Sequence, residues 1–369
     1  VNTAIVRRSI PMNDLARGIS RDREILTAAF ESVLSSGHVV MGPNHSAFQR
    51  ELGDYLGVAH VLGVASGTDA LELAIKAVMP LGRSTVITAA NAGGYTSTAA
   101  KRAGYRVRYA DVDANSLCLS SRSVEAELSP DVGVVVVTHL YGNLTDTTEL
   151  VELCHTRGVR VVEDCAQAIG ARLDGGSAGS FGDIAATSFY PTKNLGAIGD
   201  GGAIATNSDE YASAVSQLRQ YGWSSKYHVA VAGGTNSRLD ELQAAFLRAR
   251  LPLLDAFNER RRQIVARYVA AAVGGPLRVL SAEGPHHVAH LAVALSPRRE
   301  EMRAALRDLG VQTDVHFPVP DHWQPGFGSD PQVLPVTELV AGELFSLPCF
   351  PELTDDEVQF VCTAIGSLA

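Results

Sequence analysis

The sequence predicts an α/β protein. It reads as a large domain on a mainly parallel seven-stranded sheet with helices on both faces, followed by a smaller C-terminal α+β domain. Three observations lead there. Seven short runs rich in Val, Ile and Ala recur between residues 60 and 207, most of them separated by stretches of helical periodicity. Such alternation builds parallel sheets covered on both sides. From about residue 209 the pattern turns helical and then resolves into a shorter mixture of strand and helix. At 369 residues the chain exceeds what one hydrophobic core organises, which points to two domains of unequal size.

In chain order, "HVLGVA" (60–65) is the first strand and "TDALELAIKAV" (68–78) the helix after it. "STVITA" (84–89) precedes the helical "YTSTAAKRAG" (95–104), and "YRVRYADV" (105–112) follows. "VGVVVVTH" (132–139) precedes "TTELVELCHTRG" (147–158), and "VRVVED" (159–164) comes next. "IAATSFY" (184–190) and "GAIATN" (202–207) complete the seven. The stretch 240–273 reads as long helical material, with Pro252 as a break. Beyond it, 286–295 reads as a strand, 297–310 as a helix and 353–368 as a closing helix. The domain boundary is placed at residue 250, giving 1–250, with the N-terminal segment, and 251–369.

Composition narrows the function classes. The chain is 46% hydrophobic and 19% charged, as ordinary soluble enzymes are. A formal net charge of −9 argues against a broad nucleic-acid surface. The basic run "NERRRQIVARY" (258–268) is accordingly read as a solvated helix face. No apolar run is long enough to span a bilayer, and "VNTAIVRRSIPMNDLARGIS" at the start lacks a signal-peptide core. Five cysteines form no CxxC pair and are odd in number. A disulfide framework or structural zinc site is not expected, and a reducing cytoplasm is the expected compartment. The cysteines are read as small core hydrophobes.

Ligands of open α/β sheets bind beyond the carboxyl ends of the strands. After the first strand comes "SGTD", with cap-type residues Ser66, Thr68 and Asp69 around Gly67. It is either a plainly capped helix or an anion site, since a helix N-terminus offers free N–H groups and the positive end of the dipole. It is not a P-loop. After the fifth strand stand Glu163 and Asp164, then Gln167. Alternation sends the two carboxylates to opposite faces. With no HxH, HExxH or DxD cluster, no metal is expected, and a cationic partner suits Asp164 better. "SFYPTKNLGAIGDGGAIAT" (188–206) then places Lys193 between an apolar run and a glycine-dense stretch. A lone lysine is usually a surface charge; one held in a partly apolar site has a lowered pKa and becomes a nucleophile toward carbonyls. Phosphate site, carboxylate and confined lysine together are what pyridoxal phosphate needs. His286, His287 and His290 align with no ligand set and are read as structural.

At these motifs the chain resembles the DegT/DnrJ/EryC1/StrS family of sugar aminotransferases. "SGTDAL", "EDCAQAIGA", "SFYPTKNLGAIGDGGAIAT" and "GTNSRLDELQAAFLRARL" stand in the family's order and spacing, and the resemblance runs from "GHVVMGP" (37–43) to "VHFP" (315–318). It implies the aspartate-aminotransferase fold (fold type I) and a homodimer with active sites at the subunit interface. It implies pyridoxal 5'-phosphate as cofactor, carried on Lys193, with Asp164 on the pyridine nitrogen and Gln167 near the ring and its phenolic oxygen. Tyr95 would stack on the cofactor; "AANAGGYTSTAA" carries one residue more than the family's PSxTFxAT pattern, so this match is gapped. Gly67, Thr68 and Ser188 would hold the phosphate, joined by Asn236 from the other subunit. His316 falls on a family histidine near the sugar, and His38 on a substrate-facing position.

The implied reaction moves an amino group from a donor, glutamate, to a nucleotide-linked ketosugar. The stretch 217–251 is most similar to enzymes acting on dTDP-linked 3-keto-6-deoxyhexoses, with a 4-ketosugar as the alternative. Such enzymes commonly serve antibiotic or surface-polysaccharide sugars. Arg219, Tyr221, Lys226 and Tyr227 in that stretch are read either as nucleotide or donor contacts or as a solvated helix end and loop. Lys193 itself argues against the family's sugar dehydratases, which place histidine there. A non-catalytic regulatory protein of the same fold would be expected to lose the lysine or the aspartate, and both are present. A dinucleotide-binding oxidoreductase is weaker still, for no GxGxxG follows the first strand.

Overall fold

The computed structural model describes residues 9–328 and 332–368; the first eight residues of the stretch read for a signal peptide lie outside the described residues. Helices α1 (Leu15–Arg21), α2 (Arg23–Ser36) and α3 (Pro43–Leu56) lead in. Strand β1 (His60–Val64) is followed by α4 (Gly67–Val78), β2 (Thr85–Ala89), α5 (Tyr95–Arg102), β3 (Arg106–Ala110) and α6 (Ser121–Glu127). Then come β4 (Val132–Thr138), α7 (Thr148–Thr156), β5 (Arg160–Asp164) and a small hairpin of β6 (Arg172–Leu173) and β7 (Gly176–Ser177). Strands β8 (Ile184–Ser188) and β9 (Gly202–Thr206) complete the main sheet, followed by α8 (Asp209–Leu218) and a second hairpin, β10 (Trp223–Ser225) with β11 (His228–Val229).

The seven strands lie in the order β1-β9-β8-β5-β4-β2-β3. Only β9 runs against its neighbours; every other pairing is parallel. The valine run of β4 shows why both faces are covered. Val134 and Val136 join the core under α4, while Val135 and Val137 join the opposite core with Leu150 and Cys154 of α7. A period of two divides a continuous apolar strand between two layers of helices.

The predicted break at Pro252 is present. Helix α9 (Glu241–Arg250) ends in a 3-10 turn at Leu251–Leu253, and α10 (Leu254–Ala271) continues beyond it. The C-terminal part holds β12 (Arg278–Val279), β13 (Ala292–Leu295), α11 (Arg299–Asp308), α12 (Pro335–Glu343), β14 (Leu344–Leu347) and α13 (Asp355–Gly366). Its strands form an antiparallel sheet in the order β12-β13-β14. The strand expected over 286–295 is shorter than read, because residues before Ala292 form loop that turns toward the main sheet: Val288 N–H donates to the Gly142 carbonyl. The basic run also departs from its reading as a solvated face. Arg261 is buried and donates to the His290 and Cys349 carbonyls, so one arginine of that helix ties the small core together.

Candidate active site

The carboxyl ends of β1, β4, β5 and β8 meet at one edge of the sheet, and a cavity of about 630 Å³ opens there. Ser66, Gly67, Thr68, Tyr95, Asp164, Gln167, Ser188, Lys193 and His316 line it together. The fold thus gathers on one concavity nearly all the residues expected at a pyridoxal phosphate site, from segments up to 250 positions apart.

At the end of β1, Ser66 caps α4 by accepting the Asp69 N–H at 3.1 Å. Gly67 and Thr68 are the first helical residues and add their N–H groups to that helix start. A side chain at Gly67 would bring a Cβ to 2.5 Å from the Ser188 Cβ, so only glycine lets the helix start lie against the end of β8. Asp69 turns elsewhere, accepting from Ser237 Oγ at 2.8 Å and Arg102 at 3.0 Å.

Alternation at the end of β5 separates the two acids as expected. Glu163 accepts from His139 Nε2 at 2.9 Å and from the N–H groups of Gly179, Phe181 and Gly182. Burial pushes its carboxyl up, but the His139 hydrogen bond and those N–H groups outweigh this and hold it below the usual range. His139, Glu163 and Cys165 do lie within 4.8 Å of one another. Both Glu163 oxygens are already engaged by these donors, which accounts for the cluster as a structural knot. Asp164 faces the cavity, held by Ala166 N–H at 3.1 Å and Thr138 Oγ1 at 3.3 Å. Burial raises its pKa, opposed by the Ala166 N–H and the Lys193 charge.

Lys193 sits on a loop fixed at both ends. Phe189 is fully buried with its ring edge-on to Phe48 at 5.4 Å, and Ala197 N–H closes the loop on the Phe189 carbonyl at 2.8 Å. Arg250 donates to the Gly196 carbonyl at 2.8 Å and is itself neutralised by Asp22 at 3.0 Å. Among the described residues no hydrogen bond or ion pair holds Lys193 Nζ. Burial lowers its pKa to about 8, with Asp164 opposing.

Gln167 accepts the Tyr141 N–H through Oε1 at 2.6 Å, which leaves its NH₂ for the cavity. Tyr95 starts α5 and packs edge-on to Phe317 at 5.9 Å. The extra residue before it belongs to the Gly93–Gly94 turn, with φ of 77° and 78°; side chains there would run into the rings of Phe317 and Phe327. The turn is a seat for the 317–327 segment, a role invisible in the motif. His316 binds Ser346 Oγ through Nδ1 at 3.0 Å, and burial lowers its pKa.

Three expected residues lie off this cavity. Asn236, His38 and Tyr221 are exposed elsewhere on the chain, Tyr221 stacked on Trp223 at 4.8 Å. Arg219 fits neither of its readings: it is buried and donates to Gln49 and to the Gly63 carbonyl, away from ligand and solvent alike. The cavity also includes residues to which the sequence reading gave no role in the site, among them Asn13, Asp200, Asp314 and His290. His290 came from a stretch read as structural. Its signal lies in three dimensions, where it meets Asn194 at the cavity wall.

Pyridoxal phosphate can be tested against this geometry. A helix start closed onto β8 by glycine suits its phosphate, an enclosed carboxylate with a raised pKa calls for a cation such as a pyridinium, and an unpartnered amine of lowered pKa suits its carbonyl. The residues fit. The model of the DegT/DnrJ/EryC1/StrS aminotransferase family matches residues 20–366. The chain belongs to this family. It is therefore a sugar aminotransferase of fold type I that uses pyridoxal phosphate. The dTDP-3-amino-3,4,6-trideoxy-alpha-D-glucose transaminase of Micromonospora megalomicea subsp. nigra is 41% identical over 94% of this chain and 95% of its own length. The UDP-N-acetyl-3-dehydro-alpha-D-glucosamine 3-aminotransferase of Acidithiobacillus ferrooxidans is 37% identical over 97% of each. The crystal structure of S. venezuelae DesV in complex with a ketimine intermediate superposes with a TM-score of 0.92 at 36% identity, over 97% of this chain and 98% of that one. No helix among the described residues is long and apolar enough to cross a membrane.

Proposed function

We propose that this aminotransferase moves an amino group from glutamate to C3 of a dTDP-linked 3-keto-6-deoxyhexose, in the making of a deoxyaminosugar such as those of antibiotics. The observation that carries the reaction is Lys193, an amine of lowered pKa on the same cavity as Asp164 and the open helix start at Gly67. Similarity to relatives named for amination at C3 of nucleotide-linked sugars supports the position.

Pyridoxal phosphate, when bound, supplies the carbonyl that takes up amines and the electron sink for proton removal next to nitrogen. The chain's residues do the rest. Gly67, Thr68 and Ser188 hold the phosphate with backbone and hydroxyl donors. With the cofactor bound, Asp164 would keep a positive charge on its ring nitrogen, Gln167 would donate to its phenolic oxygen, and Tyr95 would cover its ring. Lys193 would take a proton from the donor's α-carbon and return it at the other end of the exchange, acting as base and then acid. A pKa of about 8 suits both duties near neutral pH. His316, at the cavity wall, orients the sugar.

The working form is read as a homodimer. Asn236, His38 and Tyr221 are exposed and lie off their own chain's cavity, so they serve a site by reaching one on a second copy. Incubation with glutamate and a panel of dTDP-3-keto and dTDP-4-keto sugars tests the reading. Mass spectrometry reports amination and NMR its position; amination confined to C4, or glutamate left unconsumed, overturns it.

A further inference from the structure

A second cavity, of about 170 Å³, lies beside the Lys193 loop and is lined by segments 13–21, 191–198, 250–261 and 350–352. Asn13, Thr192 and Lys193 line it and the active-site cavity alike. The amination chemistry makes no use of its remaining wall, which carries three arginines, Arg21, Arg250 and Arg261, among apolar side chains such as Phe257 and Phe350.

The acids around these arginines are spent on two of them. Asp22 accepts from Arg21 through both carboxylate oxygens, each at 2.7 Å, and from Arg250 at 3.0 Å. Glu352 accepts from Arg21 Nη1 at 2.5 Å. Asp14, the other acid of the lining, caps α1 and pairs with Arg17 at 3.2 Å. Arg21 and Arg250 are thereby balanced by two carboxylates, and Lys193 is offset by the charge of Asp164. Arg261 touches no carboxylate. It is only 4% exposed. Both its hydrogen bonds leave from Nη1 and end on neutral groups, the His290 and Cys349 carbonyls. Its Nε is buried with no partner, and no hydrogen bond holds Nη2. Glu352 acts on it by charge alone, while burial lowers its pKa. Arginine nevertheless keeps its proton inside proteins. A cation withdrawn from water is costly to hold unless an opposite charge accompanies it.

We propose that this cavity binds one small monovalent anion of the halide class against the Arg261 guanidinium. The charge left over on its wall is one, which a monovalent ion cancels and a divalent one would exceed. The apolar part of the wall suits a weakly hydrated ion, and the space is several times the roughly 30 Å³ share of one water, so a halide fits. The bound ion completes the charge balance where α10 meets the Lys193 loop, and so stabilises the native chain. This site stands apart from the choice of sugar and of amino donor.

The test uses the cofactor-loaded full chain in halide-free HEPES buffer, with bromide as probe and ionic strength held constant by the buffer salt. Crystals soaked in bromide and measured at the bromine absorption edge should show an anomalous peak in contact with the Arg261 guanidinium. In solution the thermal midpoint should rise with bromide and saturate, by about 2–4 °C in all. Inorganic phosphate in its place should move the midpoint by less than about 1 °C, as should bromide with Arg261→Met, which removes the charge and keeps an extended side chain. Wild-type crystals without a bromine peak at Arg261 overturn the proposal, whether or not the variant folds. An equal rise with phosphate, or in Arg261→Met, also overturns it. A midpoint that climbs with bromide without saturating means an adventitious ion only, and overturns it as well.

Discussion

At the residue scale the site is governed by what burial does to charge. Among the described residues no hydrogen bond or ion pair holds the Lys193 amine, so enclosure favours its neutral form and brings its pKa down to about 8. The rate at which the cofactor-free chain takes up pyridoxal phosphate should therefore rise with pH through about 8 and then level off, as a lysine of ordinary pKa would not. Stopped-flow absorbance measures this directly; a rate still climbing toward the ordinary lysine range would contradict it. Lys193→Ala should lose turnover by about 10²–10⁴-fold or more while keeping the fold, read by steady-state assay beside circular dichroism. Asp164 is the complementary case, a carboxylate whose burial is unfavourable until a cation arrives. Asp164→Asn should weaken pyridoxal phosphate binding by about 2–5 kcal/mol, measured by fluorescence titration. Both residues were legible in the sequence, because a charge at the end of an apolar run is rare enough to call for a reason. His290 was not legible. It meets Asn194, 96 positions away, only in the fold, and Asn194 is in turn held by Asn258.

At the scale of elements, strand ends and helix starts make the site. The alternation of β4 and β5 could be read directly, since a period of two is a local property. The three helices before β1 were not anticipated, and neither were β12 and β14. Two-residue β12 and four-residue β14 owe their state to pairing with β13 rather than to any pattern of their own. The start of α4 shows how narrowly such a junction is specified. Gly67→Ala would set a methyl group 2.5 Å from the Ser188 Cβ, and neither β8 nor the capped helix has room to yield. The variant should lose about 1–3 kcal/mol of stability by thermal or denaturant unfolding and bind pyridoxal phosphate at least about tenfold more weakly. Normal cofactor affinity in that variant would remove Gly67 from the phosphate site.

At the scale of the whole molecule, a buried acid helps to fasten the C-terminal part of the chain to the elements around the cavity. The 317–327 segment seats Phe317 and Phe327 against Gly93 and Gly94, and Asp321 accepts from Ser97 Oγ of α5 at 2.5 Å while its own N–H donates to the Ala90 carbonyl. The helix bearing Tyr95 and the segment following His316 are thereby held as one unit. Burial raises the Asp321 pKa to about 6, against the opposing hydrogen bonds from Ser97 and Gly94. The sign of its linkage follows. A carboxyl that holds its proton more tightly when folded binds more protons in the native state between about pH 4 and 6, so stability falls as pH rises through that window. Asp321→Asn keeps the shape of the side chain and removes the titration. Its stability relative to wild type should climb between pH 4 and 7 by about 1–3 kcal/mol and stay flat above, followed by urea unfolding across pH. A constant difference between variant and wild type over that range would mean that Asp321 ionises as it does in the unfolded chain, and that Ser97 and the Gly94 N–H fully offset its burial.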